Sequence, residues 1–209
     1  MLDASLFQVE CFKLLDPSAD GLQQAAIRSR LHHTHIQRFI AAANTPQGLL
    51  FVHEFLPDNL VQRLTQDTEL PIVLDYCVQA MRGLEYLAAR NVFLSDFGIH
   101  HVAVDRNNIV KLRRFSAVVA STSRDETVVV KRAGNFFTEV MLQVESLNEL
   151  RLKQLVVVMQ RGRIKRMSDV LLALTDLDAG QQLSVPFSRL EFIKVLGHGE
   201  FGQVWVRCD

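Results

Sequence analysis

Between Leu190 and Val206 lie three glycines, Gly197, Gly199 and Gly202, in a G-x-G-x-x-G-x-V string that closes on Val204. A strand-like run (Leu190, Phe192, Val195) leads into the string, and Gln203-Val204-Trp205-Val206 reads as a second strand leading out of it. The spacing alone decides little, because the dinucleotide-binding fingerprint shares it. That fingerprint runs from a strand into a helix. Here the chain returns into a strand, so the string predicts a glycine-rich hairpin with Phe201 near its tip. Asp209 follows soon after, and the hairpin is expected to open a unit that these residues do not complete.

The remaining residues must therefore form something else, and composition limits what. A 209-residue chain holds one ordinary domain, or a domain and a fragment. Hydrophobic residues reach 48%, ample for a core. Basic and acidic residues balance at 23 each, so no polyanion-binding surface and no nucleic-acid partner is expected. Cys11, Cys77 and Cys208 are scattered, without a C-x-x-C pair, which suits a reducing compartment. Met1 to Ser5 lack the basic and apolar pattern of a signal peptide. Apolar runs such as Leu155 to Met159 are far too short to span a bilayer. The expected location is the cytoplasm, alone or as the cytosolic part of a larger membrane protein.

Along the chain, residues 6–15 alternate as a strand, and Asp16 to Gly21 carry turn chemistry. Leu22 to Leu31 have helical spacing. Two strands, Ile36 to Ala43 and Leu49 to Phe55, flank the turn Asn44-Thr45-Pro46-Gln47-Gly48. Helices are expected over 59–65 and over a long stretch from Pro71 to Arg90, where the early proline fits the first turn. Short strands at 102–104 and 109–112 enclose the turn Asp105-Arg106-Asn107-Asn108. Residues 116–133 read as polar or β-rich, and 135–146 and 166–177 as helical.

This order of elements resembles the protein kinase superfamily, with a tyrosine-kinase-like flavour. Leu31-His32-His33-Thr34-His35-Ile36 is similar to the L-x-H-P-N-I segment, and Leu50 to Leu56 to the fifth strand and hinge, with His53 at the gatekeeper position. Gly83-Leu84-Glu85-Tyr86-Leu87 matches the family's G-L-x-Y-L phrase. The terminal glycine string resembles the loop that lies over the ATP phosphates in kinases. The resemblance implies an α+β, two-lobe fold over residues 1–177, with an incomplete small β lobe and a shortened helical lobe. A linker at 178–187 and a second-domain β-hairpin fragment at 188–209 would follow. That order is similar to the Janus-kinase-type tandem arrangement.

Ser95-Asp96-Phe97-Gly98 contains a literal D-F-G, the family's magnesium motif. Asp96, however, lies ten residues after Tyr86, where the family places its catalytic loop. In that register H-R-D reads Leu94-Ser95-Asp96, and the metal-binding asparagine five residues on is His101. The D-F-G aspartate is Arg114, and Lys13 is the strand-three lysine, with Cys11 two positions before it. Gln24 stands where the lysine's glutamate partner belongs. Phosphoryl transfer needs that ion pair, two metal ligands and a carboxylate. Only Asp96 survives as a remnant catalytic residue, so the resemblance implies a pseudokinase without Mg²⁺.

Asn135 to Val140 loosely match D-V-W-S-F-G, Arg163 to Val170 the start of the final kinase helix without its proline, and no A-P-E occurs. ATP is expected only over Gly197, Gly199, Gly202 and Val204, with Lys13 as a further nucleotide contact. Protein partners or an adjacent kinase domain are the other expected ligands. Blander readings stand beside these: Asp96 caps its loop, Lys13 is a solvated strand end, and the histidines at 32, 33, 35, 100 and 101 are structural rather than zinc ligands. The run Arg161, Arg163, Lys165, Arg166 is a solvated helix start. The activity readings are a kinase completed by a second domain, a non-catalytic scaffold or allosteric module, and the product of a fragmentary gene.

Overall fold

The computed structural model describes residues 7–12, 20–46, 48–94, 96–113, 118–120, 126–144, 150–178, 198–199 and 202–203. Three antiparallel strands come first: β1 (Phe7–Phe12), β2 (Phe39–Thr45) and β3 (Gly48–Glu54), in the order β1-β3-β2. Helix α1 (Asp20–Arg28) connects β1 to β2. In the central strand β3, Leu49, Phe51 and His53 are buried and the residues between them are half-buried. This is the period-two pattern of a strand with one face on a core. Strand β2 does not alternate. Its register with β3 shifts between Phe39 and Ala41, and Ile40 to Asn44 are exposed.

The helical part follows the short β4 (Asp58–Asn59) and α2 (Leu60–Arg63), where Asn59 and Gln62 cap the helix reciprocally. The long helix α3 (Leu70–Ala88) buries Val73, Leu74, Cys77, Ala80, Met81, Leu84 and Leu87, a three-and-four spacing that makes one broad apolar face. Pro71 sits in its first turn, where a missing N–H costs nothing. At Gly83 an added Cβ would lie 2.9 Å from both the His35 carbonyl oxygen and Leu112 Cδ1, so only glycine lets the neighbouring chain approach.

After α3 come β5 (Val92–Leu94), a 3-10 turn at Ile99–His101, and the hairpin of β6 (Val102–Val104) and β7 (Val110–Leu112). Asp105 Oδ1 accepts the N–H groups of Asn107 at 2.8 Å and Ile109 at 2.9 Å, and Asn108 takes a φ of 61°. Asparagine tolerates that left-handed conformation better than most residues. Strand β4 pairs with β6, and β5 with β8 (Val118–Ala120). Three helices complete this part: α4 (Thr127–Gln143), α5 (Leu150–Gln160) and α6 (Met167–Asp178). Helix α5 lies against α4, and α6 against α3.

Two expectations change. Residues 127–133 are helical rather than β-rich, because Val129, Val130, Ala133, Phe136, Phe137 and Val140 line one buried face of α4. Helix α5 was not expected at all. It forms because Leu152, Leu155, Val156 and Met159 share a buried face. Among the linker residues 178–187, Asp178 ends α6 and the others lie outside the described residues. At the far end, β9 (His198–Gly199) and β10 (Gly202–Gln203) pair antiparallel, Gly199 opposite Gly202.

Candidate functional site: the Asp96 loop and the end of β3

The loop from Asp96 to His101 is shaped by its backbone. Phe97 is buried, its ring 5.2 Å from that of Phe136 on α4. The Ile99 N–H donates to Glu139 Oε2 of α4 at 2.6 Å. A Cβ on Gly98 would come within 2.7 Å of the same oxygen, so any larger residue there must displace the Glu139 carboxylate. The Gly98 N–H donates to His101 Nδ1 at 3.1 Å, and the His101 N–H returns to the Gly98 carbonyl at 3.0 Å. Because Nδ1 is an acceptor here, a neutral His101 ring carries its proton on Nε2. The Arg113 N–H bonds the His101 carbonyl at 2.8 Å and ties the loop to the β6–β7 hairpin. Asp96 itself is exposed. The literal Asp96-Phe97-Gly98 thus precedes the hairpin, and Arg113, the residue directly after it, is buried.

A second polar group was missed in the sequence. Arg28, on the last turn of α1, is 2% exposed, and its Nη1 lies 3.2 Å from Nε2 of His53, also 2% exposed. The guanidinium can only donate, so His53 accepts at Nε2 and is neutral with its proton on Nδ1. The guanidinium carbon also stands 4.8 Å from the centroid of the Phe51 ring, a cation–π contact. Burial, then the Arg28 charge, lowers the His53 pKa to about 4, against a smaller opposing pull from Glu54. The available sequence signal was position: Arg28 follows Gln24 by one helical turn and shares its side of α1.

Glu54, the next residue, reaches the other way. Its Oε1 accepts Lys111 Nζ of β7 at 2.7 Å and the Arg38 N–H at 2.8 Å. The Gln37 side-chain amide donates to the Glu54 carbonyl at 2.9 Å.

The remaining sequence candidates scatter. Gln24 is half-buried on α1, whereas Lys13 and Arg114 lie outside the described residues. Cys11 pairs with Leu50 across β1 and β3 in backbone register. Gly199 and Gly202 face each other across a short ladder, while Gly197 and Val204 lie outside the described residues. The His33 and His35 rings meet edge to face, 5.4 Å apart between centroids. His33 stacks on Tyr86 at 4.4 Å between ring centroids, and His35 Nδ1 donates to the Val110 carbonyl at 2.9 Å. Among the described residues, no three His, Cys, Asp or Glu side chains gather as a metal site. Arg166 pairs with Asp169 at 3.0 Å at the start of α6. No described helix is long and apolar enough to cross a membrane.

A small antiparallel sheet with one helix, followed by a helical part with a tethered loop and hairpin, defines an α+β protein with kinase-like order. The protein tyrosine and serine/threonine kinase family matches residues 14–156, and the chain belongs to that family. It is 25% identical over 125 residues to the serine/threonine-protein kinase STY46 of Arabidopsis thaliana, across 58% of this chain and 21% of that one. It is 32% identical over 99 residues to the mouse protein-tyrosine kinase 6, across 44% and 22%. Against the tyrosine-protein kinase abl-1 of Caenorhabditis elegans it is 27% identical over 125 residues, across 57% and 10%. The aligned part is thus about a fifth, or less, of each of these relatives.

Proposed function

We propose that residues 1–177 form a catalytically impaired kinase module, a pseudokinase that binds or regulates rather than transfers phosphate. The observation that carries this is the Asp96 loop. Five residues after its exposed carboxylate stands His101, whose Nδ1 is engaged by the Gly98 N–H, where the family carries a metal-binding asparagine. Arg114 at the second metal position and Gln24 at the glutamate position support the same reading. In this reading Gly197, Gly199, Gly202 and Val204 open a second, tyrosine-kinase-like domain in Janus-type order, and ATP and phosphoryl transfer belong to that domain when complete. The partners of the first module are proteins or the adjacent domain, in the cytoplasm.

Thermal melting of the 209-residue chain with ATP, with and without Mg²⁺, tests the reading. The expected result is no magnesium-dependent rise in Tm. A rise that appears with Mg²⁺ and disappears on adding chelator would overturn it.

A further inference from the structure

The charge balance of the whole chain is not kept locally. From Leu150 to Arg166, six of seventeen residues are basic and none is acidic. Four of the six, Arg161, Arg163, Lys165 and Arg166, fall in the loop between α5 and α6. That loop begins on a fixed turn. Gly162 takes a φ of 68°, its N–H donates to the Met159 carbonyl at 2.9 Å, and the Arg163 N–H donates to the Val158 carbonyl at 3.1 Å. These are the paired bonds of a helix closed by glycine. A Cβ on Gly162 would lie 2.9 Å from Lys131 Cε, so the lysine of α4 lies alongside the turn. Ile164 is buried between Arg163 and Lys165, and the Met167 N–H donates to Glu126 Oε2 at 2.8 Å, which fixes the rest of the loop.

Helix-end electrostatics account for only part of this row. A cation at the C-terminal end of α5 suits the helix dipole, which covers Arg161. Lys165 and Arg166 stand just ahead of α6, where the dipole disfavours positive charge. Asp169 offsets Arg166 at 3.0 Å. Among the described residues, Lys131, Arg161 and Lys165 are exposed and enter no ion pair.

We propose that the α5–α6 loop and Lys131 form a docking surface for a carboxylate-rich peptide segment of a protein partner. The cations at 161, 163 and 165 alternate along a loop with a fixed backbone, which matches a row of carboxylates. A single phosphate is held instead by donors that converge on it. The fixed turn presents the row in advance, so little ordering is lost on binding. The surface uses none of the residues of the Asp96 loop and stands whether or not the module transfers phosphate.

Fluorescence anisotropy of a labelled hexaglutamate peptide, titrated with the 209-residue chain, tests it. The expected result is saturable binding that weakens several-fold as salt is raised, because exposed ion pairs are screened. Arg161→Gln with Lys165→Gln should weaken it about tenfold. Arg82→Gln with Arg106→Gln removes the same charge from exposed positions on α3 and the β6–β7 turn, and should leave binding unchanged. Lys131→Gln, on a different element from the loop, should weaken binding about two- to threefold, and it carries the test if the loop double lowers Tm. No binding, equal loss in the two doubles, or full binding by Lys131→Gln would sink the proposal. So would capture of the chain by phosphatidylserine vesicles or a phosphotyrosine peptide in place of hexaglutamate.

Discussion

The sheet region and the helical region of this chain are held together by different forces. In the helical region, α3 to α6 meet through apolar faces, with Phe136, Phe137, Leu152, Met159, Met167 and Leu174 essentially without exposure. Such packing is non-directional and sums over area. The end of β3 depends instead on a buried cation against an imidazole and a half-buried ion pair. Contacts of that kind add little net stability, since burying charge is costly, but losing one partner is expensive. The helical region therefore supplies the stability, and the β3 end the geometry.

The largest effect should come from emptying the apolar side. Phe137 has no exposure and lies 5.6 Å, between centroids, from Phe136. Phe137→Ala should cost about 3–5 kcal/mol by leaving a cavity, read as a lower midpoint in urea unfolding. A loss confined to a few tenths would break the division of labour. Protonation of His53 comes next. Its folded pKa near 4 lies below the ordinary 6.5, so the unfolded chain takes up the proton first. Its contribution to stability is full above pH 6.5 and falls as the pH drops toward 4. Across that interval the loss is of order 3 kcal/mol, at about 1.4 kcal/mol per pH unit. Subtracting the pH–stability profile of His53→Gln from that of the unmodified chain should isolate this slope, and identical profiles would remove the buried imidazole from the account. The smallest effect is expected at Gly98→Ala. The new Cβ must push Glu139 aside, at a cost of about 1–3 kcal/mol. Melting should fall modestly while exchange in residues 96–101 rises, and an unchanged loop would show that Glu139 yields freely.

Much of this was readable where the cause is local. Asp105 to Asn108 form the turn their side chains favour, since an aspartate that bonds two following N–H groups and an asparagine that accepts a positive φ need no distant partner. Pro71 and the apolar face of α3 announced that helix in the same way. The failures share a different origin. The run Val128-Val129-Val130 falls in the stretch read as polar or β-rich, and Val156-Val157-Val158, which drew no element, is as β-branched; burial against neighbouring helices makes both helical. Arg28 gave no local sign of burial, because its partners lie on β3, 25 residues away in the case of His53. Glu139 was hidden likewise, as its bond to Ile99 spans 40 residues. Of the proposed site, the position of Asp96 before the hairpin was legible from spacing, whereas the contacts that shape its loop were not.

The bond from Glu139 to the Ile99 N–H has one more consequence. The loop around Asp96 is drawn by main-chain groups, a glycine and a helix carboxylate, and the exposed Asp96 side chain takes no part in drawing it. Shape and chemistry are therefore written in separate residues. A chain with this arrangement can lose or regain a reactive group at position 96 without remodelling its backbone, and whatever docks against the loop meets the same contour either way.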